Sequence, residues 1–517
     1  MNLLTDSLIT VADSNGNSSR FSLPAIYELA ASDAISDFPR IRPHQIPAFH
    51  AFLVQLGCIA CEAADLSSPP ENAGEWQHIL RSLTAAWPND EPWQLVVADR
   101  AQPAFLQPAQ PEGAPPLKTV VEQPDKLDLL VTSKNHDLKQ RRMGSGSAED
   151  WFFALLSVQT QEGFLGQGNY GIARMNGGFA NRSFLTVARE QAGFGGRVFR
   201  DIHALLSNLE AYYKKTITRS GHTLLWLEPW DGSQSLAVQE CHPLFIEVCR
   251  RIRLIEHDGV ISAALGNSKV PRVDAKAFNG DVGDPWLPLD IKSSESKAMT
   301  LAADGFSYRR MAQLLSGFDG RYQLPFLAEP TKDEKNEPMA YEAYGLVRGQ
   351  GKTEGFHRRR VLVPRSALWL FHDKNSREKL AERCGIFLDL AAHASGKALR
   401  PALIQLYQGK ADIEWNKPSN ETLCRPWLKR LDGKIDKEFF PVLFRTPDEN
   451  EAQREFSQVL KMLVQSTFND AAEAAPHQED GRDIARARAE LLLARALRKH
   501  LPALRTPAAT VNGEVHE

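Results

Sequence analysis

The chain has 517 residues, of which 43% are hydrophobic and 24% are charged, and its formal net charge is −3. This length exceeds one ordinary core and predicts two or three domains, and the composition is typical of a soluble globular protein. The small net charge excludes nucleic-acid binding driven by overall charge, so any such binding must use local basic patches.

The sequence predicts a cytoplasmic protein without a membrane segment. No apolar run looks long enough to span a bilayer, and MNLLTDSLITV lacks the basic start and cleavage site of a signal peptide. Six scattered cysteines are typical of a reducing compartment. Cys58 and Cys61 form a C-x-x-C in HAFLVQLGCIACEAA, a predicted buried helix. Because no second cysteine or histidine pair completes a zinc set, we interpret them as core residues and expect no metal.

Strands and helices are mixed irregularly through the first 370 residues. LLTDSLITVADSNGNSSRFSL predicts two strands joined by an Asn-Gly turn, followed by helices over Leu23–Ala31 and IRPHQIPAFHAFLVQLGCIACEAA. AQPAFLQPAQPEGAPP predicts a proline-rich loop over the surface. Further along, strand-like patterns alternate with glycine and proline turns, in HTLLWLEPW, ISAALGN, VPRVDAKAF and RRRVLVPRSALW.

After Asp373 the pattern becomes helical. Several stretches with one apolar stripe and short polar breaks predict an antiparallel bundle. The predicted fold class is therefore α+β, with a large irregular mixed α/β N-terminal domain followed by an all-α C-terminal four-helix bundle. The predicted domains are residues 1–370 and 374–505, with a disordered tail at 506–517.

Residues 166–171 read GQGNYG, a literal G-x-G-x-x-G. A dinucleotide fingerprint needs a strand before the glycines and a helix after them. Here SAEDWFFALLSVQTQ predicts a preceding helix that starts with a capping box, with Ser147 or Ser145 ahead of Glu149 and Asp150. The following stretch predicts a strand over residues 183–187. The order disfavours a dinucleotide site and predicts a helix–glycine loop–strand unit.

Three further stretches carry polar and basic side chains in predicted loops. LLVTSKNHDLKQRRM is suited to phosphate and sugar contacts, although a nuclease site or a plain solvated loop fits the same letters. In VRGQGKTEGFHRRR, Gln350 lies between two glycines and is suited to probing base edges or wedging between bases, or simply to a turn joining two strands. RVDAKAFNGDVGDPWLP predicts a strand that bears Arg272 and Lys276, followed by a glycine turn.

These loops favour a nucleic-acid binder over an enzyme. Two alternatives stay open. One is a nucleotide- or metal-dependent enzyme that uses GQGNYG or Asn135-His136-Asp137, and the other is an architectural scaffold that acts through its helical bundle.

The ordered set of motifs resembles a known family. IRPHQIPAFHAFLVQLG, DLLVTSKNHD, LLSVQTQEGFLGQGNYGIARMNGG, DAKAFNGDVGDPW and RGQGKTEGFHRRR occur in this order and together are similar to the CasA family. CasA proteins are the large subunits of the type I-E CRISPR surveillance complex Cascade, and the resemblance covers essentially the whole chain. It implies a non-catalytic protein without a cofactor. Such a subunit joins the other Cascade subunits and their guide RNA, reads the protospacer-adjacent motif in double-stranded DNA, starts strand separation and docks a helicase-nuclease.

The resemblance also implies functional positions. A glycine loop would approach the DNA minor groove with its backbone, at Gly163, Phe164, Leu165 and Gly166. A wedge at Gln350 would split the duplex, with flanking residues Gly349, Gly351, Arg348 and Lys352. Lys276 or Arg272 would be the basic residue in the minor groove. A loop near the guide RNA would use Lys134, Asn135, His136, Lys139, Arg141 and Arg142. Two departures are a missing four-cysteine zinc cluster and Leu165 where a further glycine is common.

Overall fold

The computed structural model of the protein describes residues 1–128, 144, 146–175, 180–292, 294–349, 352–475 and 479–501. The chain divides into two compact units. The first unit comprises Met1–Phe306, Gly320–Glu334 and Pro338–Val361, and the second comprises Ser307–Asp319, Lys335–Glu337 and the chain from Leu362 onwards. The second unit therefore includes two segments that precede residue 370, and the domain bounds given above stay predictions.

The helices of the first unit pack around one central apolar helix. In order they are α1 (Leu23–Ala31), α2 (Ile46–Ala63), α3 (Ala73–Ser82), α4 (Pro124–Asp128), α5 (Ala148–Gln161), α6 (Phe194–Leu206) and α7 (Leu209–Tyr213). Helix α2 is apolar on all sides and buried on all sides, as expected for a core helix. Phe49 of α2 meets Phe152 and Phe153 of α5 edge to face, at ring-centroid distances of 5.9 and 5.2 Å. Cys58 and Cys61 are buried in this helix, as predicted.

The sequence prediction that no apolar run is long enough to span a bilayer is corrected by α2 and the turn before it. Within the described residues, Pro43–Ala63 is long and apolar enough to span a bilayer. However, 83% of its most apolar 18-residue stretch is buried inside the unit. The core helix of a folded protein passes the same test of length and composition.

Of two predictions in the N-terminal half, one is confirmed and the other is partly wrong. The predicted hairpin forms between β1 (Ile9–Ala12) and β2 (Ser18–Phe21), with Gly16 at φ +82° in the turn. The prediction that AQPAFLQPAQPEGAPP runs over the surface is wrong for its first half. Phe105 and Leu106 are fully buried, and the Phe105 ring stacks on Phe152 at 5.4 Å. Prolines predicted a loop correctly, but the apolar residues between them fill the core.

The strands of the first unit form several small sheets. They are β1, β2, β3 (Thr119–Val121), β4 (Phe184–Arg189), β5 (His222–Leu224), β6 (Leu236–Ala237), β7 (Cys241–Ile246), β8 (Arg251–His257), β9 (Val260–Gly266), β10 (Val273–Asp274), β11 (Leu289–Asp290), β12 (Lys297–Ala298), β13 (Tyr322–Gln323), β14 (Met339–Gly349) and β15 (Lys352–Val363). Two three-stranded sheets support the candidate site, with orders β3-β9-β8 and β15-β14-β4. Strands β14 and β4 are antiparallel, with Tyr344 opposite Phe184 and Met339 opposite Arg189.

The second unit is helical. It contains α8 (Tyr308–Ser316), α9 (Lys374–His393), α10 (Arg400–Gln408), α11 (Ser419–Leu443), α12 (Glu449–Ala474) and α13 (Glu479–His500). A π-helical turn at Ala394–Leu399 joins α9 to α10, so they form one continuous helical segment. The Phe387 and Phe456 rings stack at 4.1 Å in the core of this unit. The predicted fold class, a mixed α/β N-terminal part followed by a helical C-terminal part, is confirmed.

Candidate nucleic-acid interface

The glycine loop, residues 163–171, lies between α5 and the segment that leads to β4. Helix α5 begins with the predicted capping box, in which Ser147 and Asp150 bond each other's backbone amides. The loop closes on itself because the Leu165 amide donates to the Asn169 carbonyl at 2.9 Å and the Asn169 amide donates to the Gly166 carbonyl at 3.0 Å. The helix–glycine loop–strand order is confirmed, and it is the reverse of the order in a dinucleotide fingerprint.

The glycines of this loop serve two different purposes. Gly166 has φ +109°, and a Cβ there would meet no atom within 4 Å, so the main chain at the loop tip is open to an approaching ligand. A Cβ on Gly171 would lie 2.5 Å from the Gly163 carbonyl carbon and 2.7 Å from the Phe164 nitrogen. Gly171 is therefore required for the two ends of the loop to lie side by side.

A second loop, which follows β9 and contains Ser268 and Lys269, is hydrogen-bonded to the glycine loop. The Tyr170 hydroxyl donates to the Lys269 carbonyl at 3.0 Å, and the Ser268 amide donates to the Gly168 carbonyl at 3.1 Å. The Lys269 side chain is exposed beside the glycine loop. Sequence reasoning missed this lysine, because its only local signal is a polar NSK stretch after β9 and its partner in the glycine loop, Tyr170, lies about a hundred positions away.

Arg348 ties the end of β14 to the start of the glycine loop. Its side chain is 1% exposed and forms an ion pair with the buried Glu162 carboxylate, and it also donates to the Asp128 carbonyl at 2.9 Å. Arg348 therefore has no free face for a DNA phosphate, which corrects the predicted DNA contact at this position. Gly349 ends β14 and Lys352 begins β15. The predicted wedge Gln350 and its neighbour Gly351 lie outside the described residues.

Arginines of β15 are held on a buried carboxylate. Arg358 and Arg360 both contact Glu342, at 3.3 and 3.5 Å, and Arg197 contacts it at 3.2 Å. Burial raises the pKa of Glu342, but Arg197, the Tyr344 hydroxyl and the two β15 arginines more than offset this and hold that pKa below its usual value. Arg358 and Arg360 remain half-exposed, so they stabilise the sheet and still contribute positive charge to its surface.

The two candidates for the minor-groove basic residue have different environments. Arg272 is buried and donates to the carbonyls of Leu225 and Glu228, at 3.0 and 2.8 Å, and burial lowers its pKa to about 10. Lys276 is exposed. Of the two, only Lys276 is free to meet a ligand. The predicted strand is wrong at this position, because β10 ends at Asp274 and Lys276 begins a 3-10 turn.

The Lys276 turn packs against the chain that leaves the glycine loop. Asn279 and Gly280 both have positive φ, +49° and +83°. A Cβ on Gly280 would lie 2.8 Å from the Met175 carbonyl carbon and 3.1 Å from that of Arg174. The glycine at 280 therefore allows the turn that carries Lys276 to approach the residues just after the loop.

A buried ionic network lies beneath this segment. Arg174 pairs with Glu247 at 2.9 Å and with Asp284 at 3.7 Å, and Arg182 donates to both Asp284 carboxylate oxygens at 2.5 and 2.8 Å. Burial raises the pKa of Asp284, but Arg182 and then Arg174 more than offset this and leave it below its usual value. The Arg174 guanidinium also lies 3.9 Å from the Phe245 ring centroid.

This network predicts a pH-dependent stability. Asp284→Asn is expected to lower the free energy of unfolding at pH 7 by about 3 kcal/mol, because it leaves the Arg182 charge buried and unpaired. The lowered pKa of Asp284 means that its contribution is full above the ordinary value of 3.8 and is lost as pH falls through the folded-state pKa. Urea unfolding at pH 7 and at successively lower pH measures the free energy of unfolding of both proteins. The difference in that free energy between wild type and variant should become smaller below about pH 4. A constant gap would contradict this assignment.

Comparisons with known proteins decide the family. Residues 2–500 match the family model "CRISPR-associated protein Cse1 (CRISPR_cse1)". The chain belongs to the CRISPR-associated Cse1 family. The predicted resemblance to CasA is confirmed, since one similar structure is named Thermus thermophilus CasA (Cse1). No individually curated protein is significantly similar to the chain in sequence.

The Cse1 fold extends over the whole chain. Cse1 from Acidimicrobium ferrooxidans is 15% identical with a TM-score of 0.67, covering 97% of this chain and 98% of that one. Thermus thermophilus CasA (Cse1) is 14% identical with a TM-score of 0.62, covering 96% and 99%. A chain of a CRISPR RNA-guided surveillance complex is 13% identical with a TM-score of 0.51, covering 97% and 99%. Similarity at these identities establishes the fold.

The remaining predicted site residues of this Cse1 chain lie partly inside and partly outside the described residues. The guide-RNA loop residues lie outside the described residues, namely Lys134, Asn135, His136, Lys139, Arg141 and Arg142. In the glycine loop Phe164 and Leu165 are half-buried, and the Phe164 ring lies 6.0 Å from that of Tyr170. Among the described residues, no three His, Cys, Asp or Glu side chains are grouped to hold a metal ion.

Proposed function

We propose that this chain is the non-catalytic large subunit of a type I-E CRISPR RNA-guided surveillance complex, in which it reads the protospacer-adjacent motif in duplex DNA and begins strand separation. Family membership and the similarity to a chain of a CRISPR RNA-guided surveillance complex support the assembly. One observation supports the reading function above all. The open glycine loop is bonded, through Glu162 and Arg348, to the strand end that precedes Gln350.

The glycine loop would meet the minor groove with its main chain. Gly166 has no side chain and has open space where a Cβ would point, so a duplex could approach its peptide groups closely. Two exposed lysines would supply positive charge. Lys269 lies on the loop that is hydrogen-bonded to the glycine loop, and Lys276 lies on the turn that packs against the residues just after it. Minor-groove readout separates A·T from G·C and little more, so this arrangement fits a tolerant motif.

Strand separation would use the amide of Gln350 as a wedge. Unstacking a base step costs a few kcal/mol, which must be offset by contacts that hold the duplex bent. Arg358 and Arg360 place positive charge on the same hairpin and would contribute to those contacts. Guide pairing then continues the opening in a nearly balanced exchange of duplexes, as is known for a single-protein effector.

The partners in this proposal are the other complex subunits with their guide RNA, double-stranded target DNA and a helicase-nuclease recruited in trans. All would meet the subunit in the cytoplasm. The helical second unit offers long exposed helix faces to such partners, with Arg488, Arg495 and Arg498 exposed on α13.

Binding of the assembled complex to a randomised duplex library tests the reading function. Wild type is expected to enrich a degenerate motif. Lys276→Ala should reduce the preference for that motif about tenfold, as expected for loss of one groove contact. The matched control Lys429→Ala also removes an exposed lysine, one outside the candidate interface, and should change the preference less than about twofold. A flat enrichment profile for wild type would overturn the proposed function.

A further inference from the structure

Four buried charged residues from distant segments meet at the base of the glycine loop. They are Asp128, Glu162, Arg250 and Arg348, which we call the basal cluster, and their side chains are 0%, 2%, 7% and 1% exposed. Asp128 ends α4, Glu162 follows α5, Arg250 precedes β8 and Arg348 lies near the end of β14. The cluster therefore joins elements that are up to 220 positions apart.

Arg348 is the bridging member of the basal cluster. One guanidinium nitrogen, Nη2, contacts the Glu162 carboxylate and the Asp128 carbonyl together. Within the described part of the chain, its Nε and Nη1 atoms have no hydrogen-bond partner. Glu162 is thus the acidic side chain that pairs with Arg348 there. Losing that carboxylate would leave a buried guanidinium held by a single carbonyl.

Arg250 attaches the cluster to the glycine loop itself. Its Nη2 donates to the Gly163 carbonyl at 2.8 Å and lies 3.7 Å from the Glu162 carboxylate. Its own amide donates to the Gln159 side chain at 2.8 Å, which fixes its backbone against α5. Arg250 therefore contacts Gly163, the first residue of the glycine loop, at its backbone carbonyl. It contacts Glu162, the residue before the loop, at its carboxylate.

Asp128 anchors the third segment. Its carboxylate accepts hydrogen bonds from His44 and Gln45, both at 2.7 Å. The ion pairs inside the basal cluster are therefore those of Glu162 with Arg348 and Arg250, and Asp128 joins the cluster through its backbone carbonyl. A buried ion pair of this kind is costly to break from one side, which makes it suited to fixing relative position.

We propose that the basal cluster, with Glu162 and Arg348 as its positioning residues, holds the glycine loop at a fixed place against the end of β14, so that motif reading and strand separation are coupled. This inference rests on the proposed function for its DNA consequence. Residues that recognise a ligand need neighbouring residues to hold them in position. Without that support the recognition residues are present but displaced from the productive geometry. The same guanidinium holds the carbonyl of Asp128, the residue that precedes the predicted guide-RNA segment.

Hydrogen exchange in the isolated full chain tests the positioning role without DNA. Glu162→Gln keeps the side-chain shape and removes the charge. We expect it to speed exchange of the Leu165 and Asn169 amides roughly tenfold or more, since the loop opens locally more often. Arg348→Lys keeps the charge, but the shorter side chain ends before the position of Nη2, so it should act in the same direction.

The matched control is Glu334→Gln in the same unit. Glu334 is 4% exposed and pairs with Arg200 at 2.8 Å, and the pair lies outside the hydrogen bonds and ion pairs described above for the glycine loop. This control should lower the melting temperature about as much as Glu162→Gln while leaving exchange of the loop amides unchanged. Equal loop exchange in both variants, or unchanged exchange in Glu162→Gln and Arg348→Lys, would overturn the positioning role.

The DNA measurement separates this inference from the proposed function. In the assembled complex, Glu162→Gln is expected to lower both motif preference and duplex opening at least about tenfold, with Glu334→Gln near wild type. Full motif preference and opening in Glu162→Gln would overturn the coupling. A wild-type complex without any motif preference would overturn the proposed function instead, while faster loop exchange in Glu162→Gln would still support the positioning role.

Discussion

Gln350→Ala is expected to abolish opening of the target duplex by the assembled complex, while assembly and binding of closed duplex persist. The change removes the wedge that would replace stacking at the first base step, and stacking is worth a few kcal/mol. Each 1.4 kcal/mol is tenfold in an equilibrium constant, so the opened fraction should fall by roughly a hundredfold or more. A fluorescent base analogue placed beside the motif reports opening directly.

Two features make this experiment decisive. Arg348, which is fixed in the basal cluster, precedes Gln350 by two positions in the sequence, so the substitution leaves the anchored residue unchanged. Gln239→Ala is the matched control, because Gln239 is an exposed glutamine of the same unit outside the candidate site. Unchanged opening by Gln350→Ala would remove the wedge from the mechanism.

Gly171→Ala is expected to weaken motif preference strongly by displacing the start of the glycine loop. The new Cβ would lie 2.5 Å from the Gly163 carbonyl carbon and 2.7 Å from its Cα, and backbone atoms cannot rotate aside. Overpacking of this kind costs about 1–3 kcal/mol, which a folded unit can tolerate. The loop would therefore shift rather than the protein unfold, and motif preference should fall about 10–100-fold. Competition binding with matched and mismatched duplexes measures the loss.

Gly74→Ala is the control for this substitution. Gly74 lies in the first turn of α3, and a Cβ there would meet only the Asn72 side chain, at an ordinary 3.5 Å. It should leave motif preference and melting temperature close to wild type. Normal preference in Gly171→Ala would mean that the loop does not need its close backbone approach in order to bind DNA.

Local patterns in the sequence predicted local structure well. The Asn-Gly hairpin, the helix over Leu23–Ala31, the capping box at Ser147 and the apolar helix α2 all formed as their residues indicated. Each depends on contacts within a few positions along the chain, or on apolar periodicity. The same patterns indicated the fold class, and the family resemblance added the expected function and site positions.

Buried charge was the part that local patterns could not predict. Arg250 stands beside another arginine and Arg348 beside a glycine, and with Arg174 they look like surface cations in the sequence. Their acidic or carbonyl partners lie about 70 to 220 positions away, so no local signal indicates that they are buried. The same reason explains the two-way ambiguity at Arg272 and Lys276. Only long-range packing decides which of the two is enclosed.

The enclosure of every thiol makes the chain suited to distance measurements. All six cysteines are buried. Burial also raises the pKa of each thiol, to about 12 for Cys61 and Cys249 and to about 11 for Cys424. A maleimide dye would therefore label one cysteine introduced at an exposed position such as Gln239 and spare the native ones. A donor there and an acceptor on DNA would follow the encounter of subunit and duplex in single molecules, without first removing any native cysteine.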